Sequence, residues 1–357
     1  MPTTPIQWDF IIDKILQEQC VLILGPEVNL MPDSSITCQE ALLNYLDVEN
    51  SDIFTRYYPD DEFFLFDEPY KRTLACHKIK SFYENIVPNG MLSKLVQIPF
   101  HIYLSVSPDQ LLQKAFTARE FNYQSGYYKK NKLPQDISSP RKENPLVYNV
   151  FGSILSEESI ILTHDDLYDY FKSIFAQRSM PEKLKIELRN VKNFIFLGIP
   201  FDKWYMQLLL RELEIHNRNY EFIRYAANQS INPSLQTYCH EQFRISFISN
   251  NLPQFIDALY DRFTQEQLRQ ATSTESSLIQ KAQTLIANGQ LSEAIDIAED
   301  LLEGTPLQDD ITHLAGRYRR FRKKTEKGML SSAEQSIQES LISDSLQQLL
   351  NEAQDLD

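Results

Sequence analysis

Along the first two thirds of the chain, short apolar runs alternate with stretches that favour helix. Residues 11–17 place Ile11, Ile12, Ile15 and Leu16 on one helical face, and the run 21–24 follows at once, ending at the glycine of VLILGPEVN. Further runs at 102–106, 160–162, 193–197 and 244–248 are apolar without alternation, the pattern of strands covered on both faces. Strands alternating with helices predict an α/β fold, a Rossmann-like doubly wound parallel sheet with helical insertions. Segment 49–91 is rich in aromatics and charge, and 121–144 carries YYKKNKLPQ and SSPRKEN; both read as insertions beside the cleft.

After Phe263 the pattern changes. QEQLRQATSTESS has few apolar residues and no strand period, which places a linker at 269–276 between a domain at 1–268 and another at 277–357. The second domain reads as all helix. Leu278, Ala282, Leu285 and Ile286 share a face that Asn288-Gly289 closes, and Ser292 is positioned to cap a helix ending at Gly304. A third helix spans about 309–327 and ends at Gly328. The fourth opens with the capping-box spacing Ser331 to Glu334 and repeats Ile337, Leu341, Ile342, Leu346, Leu349 and Leu350. Four amphipathic helices with short connections predict a small all-α bundle.

Charge and cysteine usage narrow the partners. The 357 residues carry a formal net charge of −14, which argues against sequence-independent nucleic-acid binding and against anionic membranes. Cys20, Cys38, Cys76 and Cys239 form no CxxC pair, so neither a disulfide framework nor a zinc ribbon is expected, and no metal. The start lacks a basic region followed by an apolar run, and nowhere are about 20 apolar residues consecutive. A cytoplasmic, membrane-free protein is the expectation.

Gly25, directly after a buried strand, lets backbone amides approach a phosphate at the crevice where such sheets bind ligands; equally, Gly25-Pro26 is a plain turn. Together with SVSPDQLL, VYNVFGS and FLGIPFDKWY, the segment VLILGPEVN resembles the sirtuin-like NAD-binding domains of bacterial conflict and antiphage systems, over about residues 8–263. In that family a Gly-Ala-Gly-x-Ser loop cradles the NAD phosphates. Gly25, Pro26, Glu27, Val28 and Asn29 stand there in this chain, and a carboxylate at Glu27 repels a pyrophosphate. The segment 103–112 resembles the family's Thr-Thr-Asn-x-Asp-x-Leu-Leu, whose asparagine helps position the nicotinamide ribose and its attacking water. Ser107 replaces the asparagine and Asp109 matches the aspartate; Ser-Pro-Asp is also a good turn.

The family's catalytic Leu-His-Gly corresponds to Val150-Phe151-Gly152, and a phenyl ring moves no proton. Asn149 and His164 are the nearby polar groups, although His164 with Asp165 and Asp166 also suits a helix start. Gly198 and Asp202 match the late strand that receives the adenine-side ribose. Trp204, Leu208 and Leu209 read most simply as core, with adenine stacking by an aromatic of the helix opened by Trp204 and Tyr205 as the less favoured alternative.

The resemblance therefore makes Asp109, Ser107 and Asn149 the catalytic candidates and Gly25, Pro26, Asn29, Gly152, Gly198 and Asp202 the nucleotide-binding candidates, with NAD or an ADP-ribose-like nucleotide as ligand. The paired CxxC ligands of protein-deacylating sirtuins are absent, which argues against deacetylation.

The tail, through its Gly289 break, Arg317-Tyr318 and the 328–332 turn, resembles effector-associated domains. That resemblance implies like-with-like recruitment, with partners carrying a matching domain or a homo-oligomer. Arg317, Arg319, Arg320, Arg322, Lys323 and Lys324 either complement the carboxyl end of the third helix or meet an acidic face on a partner. Two functions stay open: an effector that binds NAD or a related nucleotide and hydrolyses it when clustered, or a degenerate nucleotide sensor or scaffold that signals through its tail.

Overall fold

The computed structural model describes residues 6–354 except 33, 131, 133, 135, 177–179, 214, 216–221, 223, 230, 249 and 250. It divides into two compact units, Met1–Phe263 and Thr264–Asp357.

In the first unit, β1 (Cys20–Leu24) is followed by a small antiparallel hairpin of β2 (Arg56–Tyr58) and β3 (Phe63–Leu65). Then come β4 (Ile102–Ser105), β5 (Gln124–Tyr127), β6 (Leu146–Asn149), β7 (Asn193–Leu197), β8 (Arg224–Ala227) and β9 (Ser246–Phe247). Apart from the hairpin, the strands form one sheet in the order β5-β6-β4-β1-β7-β8-β9, and every neighbouring pair is parallel. The chain moves outward from β1 through β4 to the edge strand β5, returns to β6 between β5 and β4, then crosses to β7 on the other side of β1. That reversal puts a crevice at the carboxyl ends of β1 and β7, the usual ligand position in such sheets. Leu24 lies opposite both Ser105 and Leu197, so the ends of β4, β1 and β7 are level.

Period-two alternation feeds two cores. Leu22 and Leu24 of β1 and Ile195 and Leu197 of β7 face one layer, with Ile12, Tyr103 and Phe255. Val21, Ile23, Phe194 and Phe196 face the other, with Leu104, Tyr148 and Tyr170.

The structure alters several sequence expectations. Ile160 and Leu162 are buried but unpaired with the sheet; Leu162 instead accepts a hydrogen bond from the Phe64 amide at 2.8 Å, so burial under the hairpin explains that apolar run. β5, β6 and β8 were not marked by an apolar run. β5 (QSGY) lies within the segment expected as a loop insertion and forms the edge of the sheet, where polar residues are tolerated and Gly126 makes room for the Tyr148 ring. Segment 49–91 supplies the hairpin and the helix Pro69–Glu84. One helix, Leu252–Ala287, runs through 269–276, where a linker was expected; the stretch contains no Gly or Pro to stop it.

The second unit packs the end of that helix with Leu291–Leu301, Gln308–Glu326 and Ser332–Gln354 around Ala282, Ala294, Ile295, Ala298, Leu314, Ile342 and Leu346. The Ser331–Glu334 capping box forms, with the Ser331 amide donating to Glu334 Oε2 at 2.8 Å. Ser292 does not cap: the second helix begins at Leu291 after Gln290. Ile337 and Leu341, expected in the core, are 60% and 47% exposed, because the buried stripe is set by Ile342, Leu346 and Leu350, about 100° or more further round the helix. No described helix is long and apolar enough to cross a membrane.

Candidate functional site

The turn after β1 is short and fully bonded. Gly25 donates its amide to Leu197 O at 2.8 Å, and Glu27 donates a longer bond of 3.5 Å to Gly198 O. The turn Pro26–Val28 then uses the amides of Val28 and Asn29 internally, on Gly25 O at 3.3 Å and Pro26 O at 3.0 Å. Pro26 has no amide to give. A Cβ on Gly25 would run into the Gly198 carbonyl, and one on Gly198, at φ +65°, would meet Glu27. The two candidate glycines therefore serve each other's close approach.

Beside them lies a cleft of about 700 Å³ whose lining includes Pro26, Glu27, Glu40, Glu62, Asp202 and Lys203. The Glu27 carboxylate accepts the Gln229 amide at 2.8 Å. Burial raises its pKa; the Gln229 and Asn228 bonds oppose that rise, and the Asp202 charge adds to it. Lys203 is buried and committed, 3.2 Å from Glu62 and donating to Asp60 O at 2.6 Å. Glu62 also accepts from Gln39 at 2.7 Å.

The catalytic candidates meet at the ends of β4 and β6. Asp109, only 3% exposed, accepts Asn29 Nδ2 at 2.8 Å and the Leu111 amide at 2.9 Å. Asn149, the last residue of β6 and 1% exposed, donates to Ser107 O at 2.7 Å and Asp109 O at 2.9 Å, and accepts from Gln113 at 2.7 Å. Asn29, Ser107, Asp109 and Asn149 are thus one hydrogen-bonded cluster. Burial pushes the Asp109 carboxyl up to about 6, against the lowering effects of the Leu111 amide, its own backbone, Asn29 and Lys114.

Phe151 follows in the same loop. Its ring lies edge-on to Tyr170 and Tyr205, with centroids 5.2 and 5.8 Å apart, and lines a small cavity of about 110 Å³ with Val106, Pro108, Phe63 and the polar Gln39 and Glu62. Gly152, at φ +88°, presses against the Ser159 carbonyl, so no side chain fits there. This turn keeps Phe151 facing the aromatic layer.

His164 sits at a helix start, as its acidic neighbours suggested. Thr163 caps the helix His164–Phe175 in a capping box with Asp166, and His164 Nε2 lies 3.0 Å from Asp61. Trp204 and Leu208 are not core: they are 41% and 36% exposed, while Tyr205 and Leu209 face inward. The indole donates to Asp61 at 3.1 Å. Asp202 is exposed at the cleft mouth and stands apart from the Asp109 cluster.

The hairpin tip was missed by sequence reasoning. Asp60, Asp61 and Glu62 hold Lys203, Trp204, His164 and Gln39, and the acidic triplet between the aromatic pairs of YYPDDEFF was the only available signal. Among the described residues, no three His, Cys, Asp or Glu side chains are grouped to hold a metal ion, and all four cysteines are buried and free.

Two family models match the sequence. One describes a SIR2-like domain and matches residues 102–248; the other describes Effector-associated domain 11 and matches residues 277–354. No curated protein matches the chain. The parallel sheet, its doubly wound order and the four-helix tail agree with both matches, and the chain joins a SIR2-like domain to a C-terminal effector-associated domain.

Proposed function

We propose that this chain is a recruited component of a bacterial conflict system, and that its SIR2-like unit acts through protein contacts without turning over NAD. Phe151 carries this reading: an aromatic ring packed on Tyr170 and Tyr205 stands where the resemblance expects a histidine base. A general base must reach within about 3 Å of the proton it removes and hold a pKa near working pH. Asn149 offers no such pKa, and its amide is already spent on Ser107, Asp109 and Gln113.

The hydrolytic reading keeps one observation in its favour. Asp109 is a buried carboxyl with a pKa of about 6, a common property of catalytic acids and bases, and Ser107 and Asn149 lie beside it. Its oxygens, however, are held by Asn29 and Leu111, which is what a structural helix-start aspartate does.

Recruitment rests on the tail. The helix Gln308–Glu326 exposes Arg317, Arg320, Lys323 and Lys324, which make no ion pair among the described residues, whereas Arg319 and Arg322 pair with Glu299 and Glu326. Unpaired exposed cations speed encounter with an acidic face, here on a partner's effector-associated domain or a second copy. The test is to incubate the purified chain, dilute and concentrated, with NAD and follow nicotinamide. No release is expected. Release that Asp109→Ala abolishes would replace this reading with the hydrolytic one.

A further inference from the structure

A silent SIR2-like domain could still sense NAD, so loss of turnover leaves binding open. We propose that the phosphate cradle of this domain is closed to anionic dinucleotides by the chain's own backbone. A pyrophosphate at a strand-to-turn junction is held by amides that point outward with no internal partner. Here the amides of Gly25, Glu27, Val28 and Asn29 all point at carbonyls of the protein, and position 26 is proline. The closure is reciprocal: Gly25 lies against the Gly198 carbonyl, and Gly198 against Glu27. An incoming phosphate oxygen would face that carbonyl oxygen instead of a donor.

Charge acts in the same direction. Glu27 occupies the third position of the turn, and its carboxylate is tied to the Gln229 amide at 2.8 Å, so it is held at the cleft and does not swing away. Glu40, Glu62 and Asp202 line the same cleft, and Lys203, the one lysine among its described lining residues, is committed to Glu62 and to the hairpin carbonyls. Nothing cationic among these residues is left to meet a phosphate. The glycines that suggest a dinucleotide site in the sequence have a different use: each removes a Cβ so that the turns after β1 and β7 can seal against one another.

The test is calorimetric titration of the full chain with NAD and with ADP-ribose, run beside Glu27→Ala. The wild-type chain is expected to give no saturable heat with either ligand. Glu27→Ala, checked for unchanged thermal unfolding, is expected to give none, because the amides remain engaged after the charge is gone. Saturable binding to the wild type would overturn the proposal. Binding gained only by Glu27→Ala would also overturn it, by showing that charge and not the backbone excludes the ligand. This inference fails separately from the non-hydrolysing reading: NAD that binds without release of nicotinamide would refute closure and leave that reading intact.

Discussion

The two units use polar residues in opposite ways. In the SIR2-like unit, Asn29, Asp109, Asn149 and the amides of the Gly25 turn face inward and bond to one another or to other groups of the same unit. In the tail, the cations of Gln308–Glu326 and the apolar side chains Ile337 and Leu341 face outward, and several of the cations make no ion pair among the described residues. Buried polar groups that pair internally stabilise a fold and leave little for a ligand, whereas exposed unpaired groups cost little and remain available for contacts. On the proposed function, the polar groups around Asp109 serve the fold of the first unit, and the exposed cations of the second are the ones available for recruitment.

The largest expected effect tests the seal. Gly25→Ala drives a Cβ into the Gly198 carbonyl between two central strands, and should destabilise the first unit by roughly 4 kcal/mol in denaturant unfolding. A variant as stable as the wild type would mean that the two turns are not in contact.

Next come two titrations that oppose each other. Burial lowers the His101 pKa from 6.5 to about 4, and neither ring nitrogen has a hydrogen-bond partner among the described residues. The unfolded chain therefore takes up this proton first, so the stability is present above pH 6.5 and is lost as pH falls towards 4, by about 3 kcal/mol. For Asp109 the carboxyl is raised from 3.8 to about 6, so its contribution is present below 3.8 and is lost as pH rises through 6, by a similar amount of about 3 kcal/mol. Between pH 4 and 6 the two largely cancel. His101→Phe should unmask a stability that rises on acidification, and Asp109→Asn should unmask one that falls and should raise stability near neutrality. Thermal unfolding across that range decides it; parallel pH profiles for the two variants would refute the assignment.

The smallest effect on stability belongs to the tail. Replacing Arg320, Lys323 and Lys324 together by Glu should change unfolding by less than about 1 kcal/mol, because exposed charges contribute little. The same variant should slow association with a recruitment partner, most clearly at low salt. Unchanged association would leave the exposed Ile337 and Leu341 as the contact surface.

Much of this contrast was legible in the sequence, though unevenly. β1, β7 and the tail helices follow from apolar period and from Gly289, Gly304 and Gly328, which are local signals. β5 and β8 were not legible, since QSGY and RYAA carry no strand pattern and depend on β6 and β7 to pair with. The cluster of Asn29, Ser107, Asp109 and Asn149 was indicated through the resemblance, but its self-satisfaction was not. Asn29 meets Asp109 across 80 positions, and Glu27 meets Gln229 across 202. No local pattern encodes such partners. Gly25 shows the limit most clearly: its position in the sequence suggests a phosphate, and its neighbour in space is Gly198.

Hydrogen exchange at the turn after β1 tests the inward use of polar groups most directly. In the ligand-free full chain, the amides of Gly25, Val28 and Asn29 should be protected well beyond exposed loop amides, and added NAD should leave them unchanged. Rapid exchange at these three positions that slows when NAD is added would contradict the account, because it would show donors held free for a phosphate.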